Sequence, residues 1–530
     1  MKIYKLPYSK VPLFAARDVK YIAEDQGLRP FYKYPVSLEG FKAAIDDKRK
    51  EQIDRQTLVE VIKNQHKKLK ETSKTVESNI DKLLLENTFT VVTAHQPSLF
   101  TGPLYYIFKI ISAINLAKEL SQAFPAFHFV PIFISSGEDH DFEEVNHLHL
   151  FGKKLSWESG EKGAVGQMHT NSLQPTLDDL KAVLGDSPQA QSLFSLLEET
   201  HTRNELYADA AFELAFQLFK EDGLVVLNTN DARLKRVFAP LIKEEIFNQP
   251  SQSLVNQTIA ELEKAGYPSQ ATPREINFFY LADQIRERIV ADGDIFRVLN
   301  TDLQFSKSEM EAEIENHPER FSPNVVMRPI YQEKILPNLA YIGGGGELAY
   351  WLERKAQFAH FGLNFPVLVR RNSAMWIDAG SAKRMEKLNL SIEDIWSDTN
   401  DLVRKYLNEN AETELSLKGE MLEAKSVFEK IAEKTAMIDA TLVKTVWAEH
   451  SKIEKSMELL EARLVKAEKL KHETAIQQIQ ALKEKLFPGG GLQERYENFI
   501  PLYLKHGSEF KKVLMDNFDP LEKKFVLIVD

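Results

Sequence analysis

The sequence predicts an α/β protein: a parallel-sheet core with helical insertions, continued by a C-terminal α-helical coiled-coil segment. Three observations lead there. Short β-rich apolar runs around 90–92, at 127–134, at 224–227 and in FPVLV before Arg370 each end in a polar or charged cluster. Helix-period stretches separate the first runs in the strand, helix, strand order of a parallel sheet. Residues 421–485 lack Gly and Pro and carry apolar side chains at a/d-like spacing.

A chain of 530 residues is too long for one compact core. The reading divides it into a body at 1–390 with insertions at roughly 150–220 and 245–320, a helical coiled-coil segment at 391–487, and a tail at 488–530 that folds back on the body. The net charge of -11 argues against a general nucleic-acid binder. With no cysteine there is no disulfide, thiolate metal site or cysteine nucleophile, so any thiol in the reaction comes from a substrate. The N-terminus mixes charge and proline and lacks a signal-peptide core, and no membrane-length apolar run occurs. A soluble cytoplasmic protein that binds neither nucleic acid nor membrane is expected.

Residues 15–85 read mainly as helix, with Ser37 as an N-cap. The stretch at 88–114 then organises the chain. Its β-formers lead into His95 and Gln96, a short polar loop through Ser98, the Gly102-Pro103 pair and a long apolar helix. His95 and Gln96 therefore sit at the carboxyl end of a strand, the edge where open parallel sheets bind ligands. The second strand runs into the densest ionisable cluster, from Glu138 through Asp139, His140, Asp141 and Asn146 to His149. Three readings stay open for it: a metal site, although it lacks HExxH spacing; carboxylates that orient an amine or ribose with His140 as proton shuttle; or loop solvation and capping.

The third strand ends in Asn228 and Asp231, which suit nucleotide or sugar contacts and turn formation about equally. Four glycines at 343–346 precede Glu347 and a helical pattern, without the Lys-Ser or Lys-Thr of a phosphate-binding Walker loop. Their use would be close backbone approach to a carboxylate or phosphate, with Glu347 capping the helix or receiving an ammonium. Arg370, Arg371 and Asn372 end a further strand, where paired guanidinium groups would suit a dicarboxylate. In the C-terminal third, Val446, Ile453, Met457, Leu460, Leu464 and Ala467 form the coiled-coil stripe, packed on a neighbouring helix or another subunit.

HQPSLFTGPLYYIFK at 95–109, SSGEDHDFEEVN at 135–146, YIGGGGELAYW at 341–351 and PVLVRRN at 366–372 together resemble the bacillithiol biosynthesis cysteine-adding enzyme family. The resemblance covers nearly the whole chain. It implies a Rossmann-like core with two connecting-peptide-type insertions, a dimerising coiled coil, and a ligase that joins L-cysteine to the amino group of glucosaminyl malate. That family is distantly similar to class I aminoacyl-tRNA synthetases, with His95 at the first position of their HIGH motif and Ser98 in place of its second histidine.

Under this resemblance the catalytic set is His95, Gln96, Asp139, His140 and Asp141, with His95 and Gln96 stabilising developing negative charge. Glu347 holds the cysteine ammonium and Arg370 or Arg371 the malate carboxylates, with Gly102, Asn146 and Asn372 nearby. A nucleotide, ATP or another, enters as a candidate co-substrate or ligand against His95, Ser98, Asn228, Asp231, Gly344 and Gly345; no protein metal is assigned. A nucleotidyltransferase-like enzyme of the same fold and a non-enzymatic coiled-coil scaffold are the alternatives.

Overall fold

The structure, a computed structural model, describes residues 1–411 and 415–530. The part of the expected helical segment at 412–414 lies outside the described residues. Two compact units emerge. One comprises Tyr4–Ala374 and Gln493–Leu527; the other comprises Met1–Ile3, Met375–Leu492 and Ile528–Asp530.

The first unit is built on a five-stranded parallel sheet in the order Val367–Arg370, Asn338–Gly343, Thr88–His95, His128–Ser135, Val225–Leu227. These strands are buried along nearly their whole length, with no alternation of exposed residues, because both faces of the sheet are covered. Only the last residue of Thr88–His95 escapes full burial. The crossover to the second strand is the helix Tyr105–Ala123, buried along most of its length. Its Asn115 Nδ2 donates to the carbonyls of Met515 and Phe518 in the C-terminal segment.

Register places the strand ends together. His95 lies opposite Ser135 and Gly343 opposite Arg370, so the carboxyl ends open on one edge of the sheet. From Thr88–His95 the chain moves to one side of the sheet, whereas from Asn338–Gly343 it moves to the other. The gap between these two strands is thus the topological switch point, where the following helices diverge and leave a crevice.

Two insertions border that edge. The first carries the antiparallel hairpin His147–Leu150 and Lys153–Ser156 and the helices Gln174–Leu184, Pro188–Arg203 and Tyr207–Phe219. The second follows helices Ala232–Asn248 and Pro250–Lys264 and holds a five-stranded antiparallel sheet, whose central strand is Ile285–Asp292 and whose edge strand is Phe321–Pro323. Residues 493–527 belong to this same unit, tied in by Asn498 Nδ2, which donates to the carbonyls of Phe100 and Gly102.

In the second unit the helical segment is a hairpin. Helices Lys418–Ile438 and Val443–Lys471 are separated by a turn in which the Asp439 carboxylate accepts from the Thr441 N–H. They run antiparallel, since Leu417 N donates to Glu461 while Phe428 meets His450 at 5.3 Å. Much of the expected stripe stays uncovered: Ile453, Leu460 and Leu464 are exposed. The longest stretch of this unit starts at Met375, where Asp378 caps the helix Ala379–Lys387 and pairs with Lys485 at 2.7 Å.

Candidate active site

At the switch point lies a cleft of about 450 Å³. His95 and Gln96 form one wall, the glycine turn at 344–346 faces them, and the second insertion contributes Arg286, Asn324 and Arg328. No single stretch of sequence builds it.

His95 enters in a defined tautomer. Its Nδ1 lies 2.8 Å from the Gln96 carbonyl, which only accepts, so Nδ1 carries the proton. Nε2 is then the acceptor for the Tyr105 hydroxyl at 3.1 Å. Burial, reinforced by the Lys109 ammonium, pushes the imidazole down to about 4, so His95 is neutral at physiological pH. An NMR titration should find its midpoint near that value; a midpoint near 6.5 would mean that the ring is solvated. Its linkage to folding has a definite sign. Because the folded pKa is depressed, the contribution is present above about 6.5 and is lost as pH falls towards 4.

Gln96 is oriented just as tightly. Its Nε2 donates to Asp139 Oδ2 at 2.7 Å, leaving the amide oxygen as its free acceptor. Asp139 Oδ1 receives Arg286 Nη1 at 3.0 Å and the His140 N–H at 2.7 Å. Arg286 stacks on Phe279 with its guanidinium carbon 4.0 Å from the ring centre, so the inserted sheet grips the acidic loop. Glu138, the preceding carboxylate, is held by the buried Lys235 ammonium at 2.9 Å. The Nδ1 proton of His95 and one of the two Gln96 amide protons are thus taken by the protein, so the second Gln96 N–H is what this pair keeps for the expected stabilisation of developing negative charge.

Across the cleft, Glu347 reaches back over the start of its helix to accept from the Gly344 N–H, and also accepts from Tyr341 and from Lys109 at 2.8 Å. Burial opposes its ionisation, but these partners outweigh it and hold the carboxyl down to about 2. Glu347 thereby braces the Tyr105–Ala123 helix against the glycine turn, with Lys109 and Tyr341 on Oε1 and the Gly344 N–H on Oε2. Arg371 donates to Glu494 at 2.7 Å in a buried pair and lines the cleft beside Gly344.

Other expected site residues lie elsewhere. Arg370, one residue from Arg371, points to the opposite side of its strand end, pairs with Asp18 at 3.0 Å and packs over Tyr8 and Phe14. Asn372 is used by Ser112 and the Asp519 carbonyl. Gly102 serves the turn: its φ is +61°, and a Cβ there would come within 2.8 Å of Ser98. Gly345 makes room for Asp18.

Asn228 and Asp231 are local turn and capping residues, the latter paired with Arg233, while Thr229 is the residue of that strand end that lines the cleft. Asn146 is buried behind it against His147 and Trp157. Asp141 and His140 do not line the cleft, His140 being bonded to Arg286 through Nδ1. Ser98 instead borders a smaller chamber of about 100 Å³ with His147, His149 and Tyr496.

Tyr105, Lys109, Arg286 and Arg328 are among the cleft-lining residues not assigned a site role from sequence. Lys109 had a signal: it is the one lysine in the apolar run IFKIISAI, four residues after Tyr105 and thus on the same helix face. Arg286 and Arg328 had none, because long-range packing alone brings them here.

This fold and site define a Rossmann-like α/β protein with a polar cleft at its switch point. The chain belongs to the bacillithiol biosynthesis BshC family: the family's N-terminal Rossmann-like domain matches residues 1–372 and its C-terminal coiled-coil domain residues 374–529. Among curated relatives, "Putative cysteine ligase BshC" of Flavobacterium johnsoniae is 41% identical over 525 residues, covering 99% of each chain. The protein of the same name in Christiangramia forsetii is 38% identical over 530 residues, covering 99% of this chain and 98% of its own. Likeness to solved structures is distant: a tyrosyl-tRNA synthetase from Archaeoglobus fulgidus aligns over 80% of this chain and 99% of its own with a TM-score of 0.22 and 8% identity.

Proposed function

We propose that the protein is a ligase that forms an amide bond between the carboxyl group of L-cysteine and the glucosamine amino group of glucosaminyl malate, yielding bacillithiol. Family membership over almost the full chain supports the reaction class. The observation that carries the reading at the level of residues is the acceptor wall formed by Gln96 and Asp139.

A carboxylate does not react with an amine directly, because its oxygen is a poor leaving group. The cysteine carboxyl must first be joined to a phosphoryl or adenylyl group, with ATP or another nucleotide as co-substrate. The sugar amine then attacks the acyl carbon, the C–N bond forms, the phosphate or nucleotide leaves with the electron pair of the C–O bond, and the amine gives up a proton. Gln96 Oε1 and the Asp139 carboxylate accept from the amine and aim its lone pair. Asp139, partly open to the cleft, is the group to receive the proton. Neutral His95 fixes the Tyr105 hydroxyl, whose oxygen is left to accept from a substrate N–H or O–H.

The test gives the purified protein glucosaminyl malate, cysteine and a nucleotide, and follows the new thiol by mass while each component is omitted in turn. Product that requires all three supports the reading. Pyrophosphate release without consumption of cysteine points instead to nucleotidyl transfer.

We also place a homodimer contact, in a protein working in the cytoplasm, on the uncovered stripe of the helical hairpin. Leu460→Lys with Leu464→Lys is expected to halve the mass seen by sedimentation equilibrium while helicity is retained. An unchanged mass would remove the stripe from the interface.

A further inference from the structure

We propose that Arg328 is the specificity-determining anchor of this cleft, holding an oxyanion of the substrates, either a carboxylate or a phosphoryl oxygen. The inference rests on the ligase reading for its choice of ligands, but not for its geometry.

Most cations lining the cleft are paired with a carboxylate. Lys109 is matched by Glu347, Arg286 by Asp139, Arg371 by Glu494, and the buried Lys235 by Glu138. Among the described residues Arg328 has no carboxylate partner. Its Nη2 donates to the Tyr350 hydroxyl at 2.7 Å and its Nη1 to Gln332 at 3.2 Å, while the Tyr341 ring lies 5.5 Å from the guanidinium carbon. Neutral oxygens and a ring face orient a guanidinium without cancelling its charge. Arg495 also lines the cleft without a carboxylate, but it is exposed and water screens it. Arg328 is largely shielded from water and Glu347 reaches it only through the Tyr341 hydroxyl, which bonds to both, so with no carboxylate in direct contact its charge favours an anionic ligand far more strongly.

The surroundings leave space for that ligand. Gly346 lines the same cleft, and a Cβ built there would meet nothing within 4 Å. The first N–H groups of the helix Gly345–Leu352 have no partner within the helix. Asn324, by contrast, caps the N–H groups of Val326 and Met327, so at the neighbouring helix start the guanidinium itself is the donor on offer. This arrangement adds a donor to a wall where the His95 Nδ1 proton and one Gln96 amide proton are already taken.

The experiment measures binding by calorimetry with the full chain, using L-malate and inorganic phosphate as separate probes, in wild type, Arg328→Gln and Arg328→Lys. Wild type binds at least one probe, and Arg328→Gln weakens that binding about 30- to 1,000-fold, the range for removing one member of a shielded charge pair. Arg328→Lys recovers part of it through charge without the planar fork. Selective loss of malate assigns the sugar-acid carboxylate; selective loss of phosphate assigns the phosphoryl group.

If Arg328→Gln unfolds, Arg328→Lys alone decides, with at least fivefold weakening expected. Affinities within threefold of wild type in the folded variants, or no binding of either probe by wild type, would overturn the proposal. Because turnover is not the readout, loss of anion binding by a protein that makes no bacillithiol would keep the anchor and discard the ligase reading.

Discussion

Asp139→Ala lowers the rate of amide formation about 10²- to 10³-fold, within the range for a positioned acid or base, and leaves the protein folded. The carboxylate sits between Gln96 and Arg286 and is bonded to both. Without it, Gln96 loses the partner that orients its amide, and the Arg286 charge is released beside the site where a neutral amine must bind. Asp139→Asn should recover little, because its NH₂ group would face one of two donors, the Gln96 amide or the Arg286 guanidinium. Asp141→Ala is the matched control. It lies two residues away but does not line the cleft, so near-normal kcat is expected. Equal losses in the two variants would assign the acidic loop as a whole, rather than Asp139, to the reaction.

The largest effect on stability is expected at Arg371. Arg371→Met leaves Glu494 buried with only the Ser373 hydroxyl and the Ala374 N–H as donors, at a cost of about 3–5 kcal/mol, the usual penalty for a buried charge stripped of its partner. Urea unfolding measures it. Adding Glu494→Gln to Arg371→Met should restore part of the loss, since the double variant no longer buries an unpaired charge. If the double variant is less stable than the single one, Glu494 is held mainly by its other partners.

The strand ends were legible in the sequence because the physics there is local. A β-rich apolar run followed by a polar cluster has few other structures open to it, and His95, Gln96 and Asp139 reach the cleft edge for that reason. Which neighbour at a strand end faces the cleft was not legible. Arg370 and Arg371 differ only by the alternation of a strand, and its phase depends on Asp18, Tyr8 and Glu494, hundreds of residues away or far beyond in the tail. The same one-residue choice separates Asn228 from Thr229.

The helical segment shows a related limit. An apolar stripe specifies that something covers it, but the turn at Asp439 decides that a second helix of the same chain packs alongside. Asp439 followed by Thr441 was the available signal, a side-chain cap inside a run otherwise free of breakers.

Single-turnover mass spectrometry distinguishes whether the Gln96 and Asp139 wall of the switch-point cleft presents the sugar amine to an activated cysteine carboxyl. Wild type and Asp139→Ala are each mixed with glucosaminyl malate, cysteine and nucleotide, and the activated cysteine and the thiol product are followed together. Wild type is expected to convert both substrates to bacillithiol, whereas Asp139→Ala still activates cysteine but forms the amide at least 100-fold more slowly. Amide formation by Asp139→Ala at the wild-type rate would contradict that role.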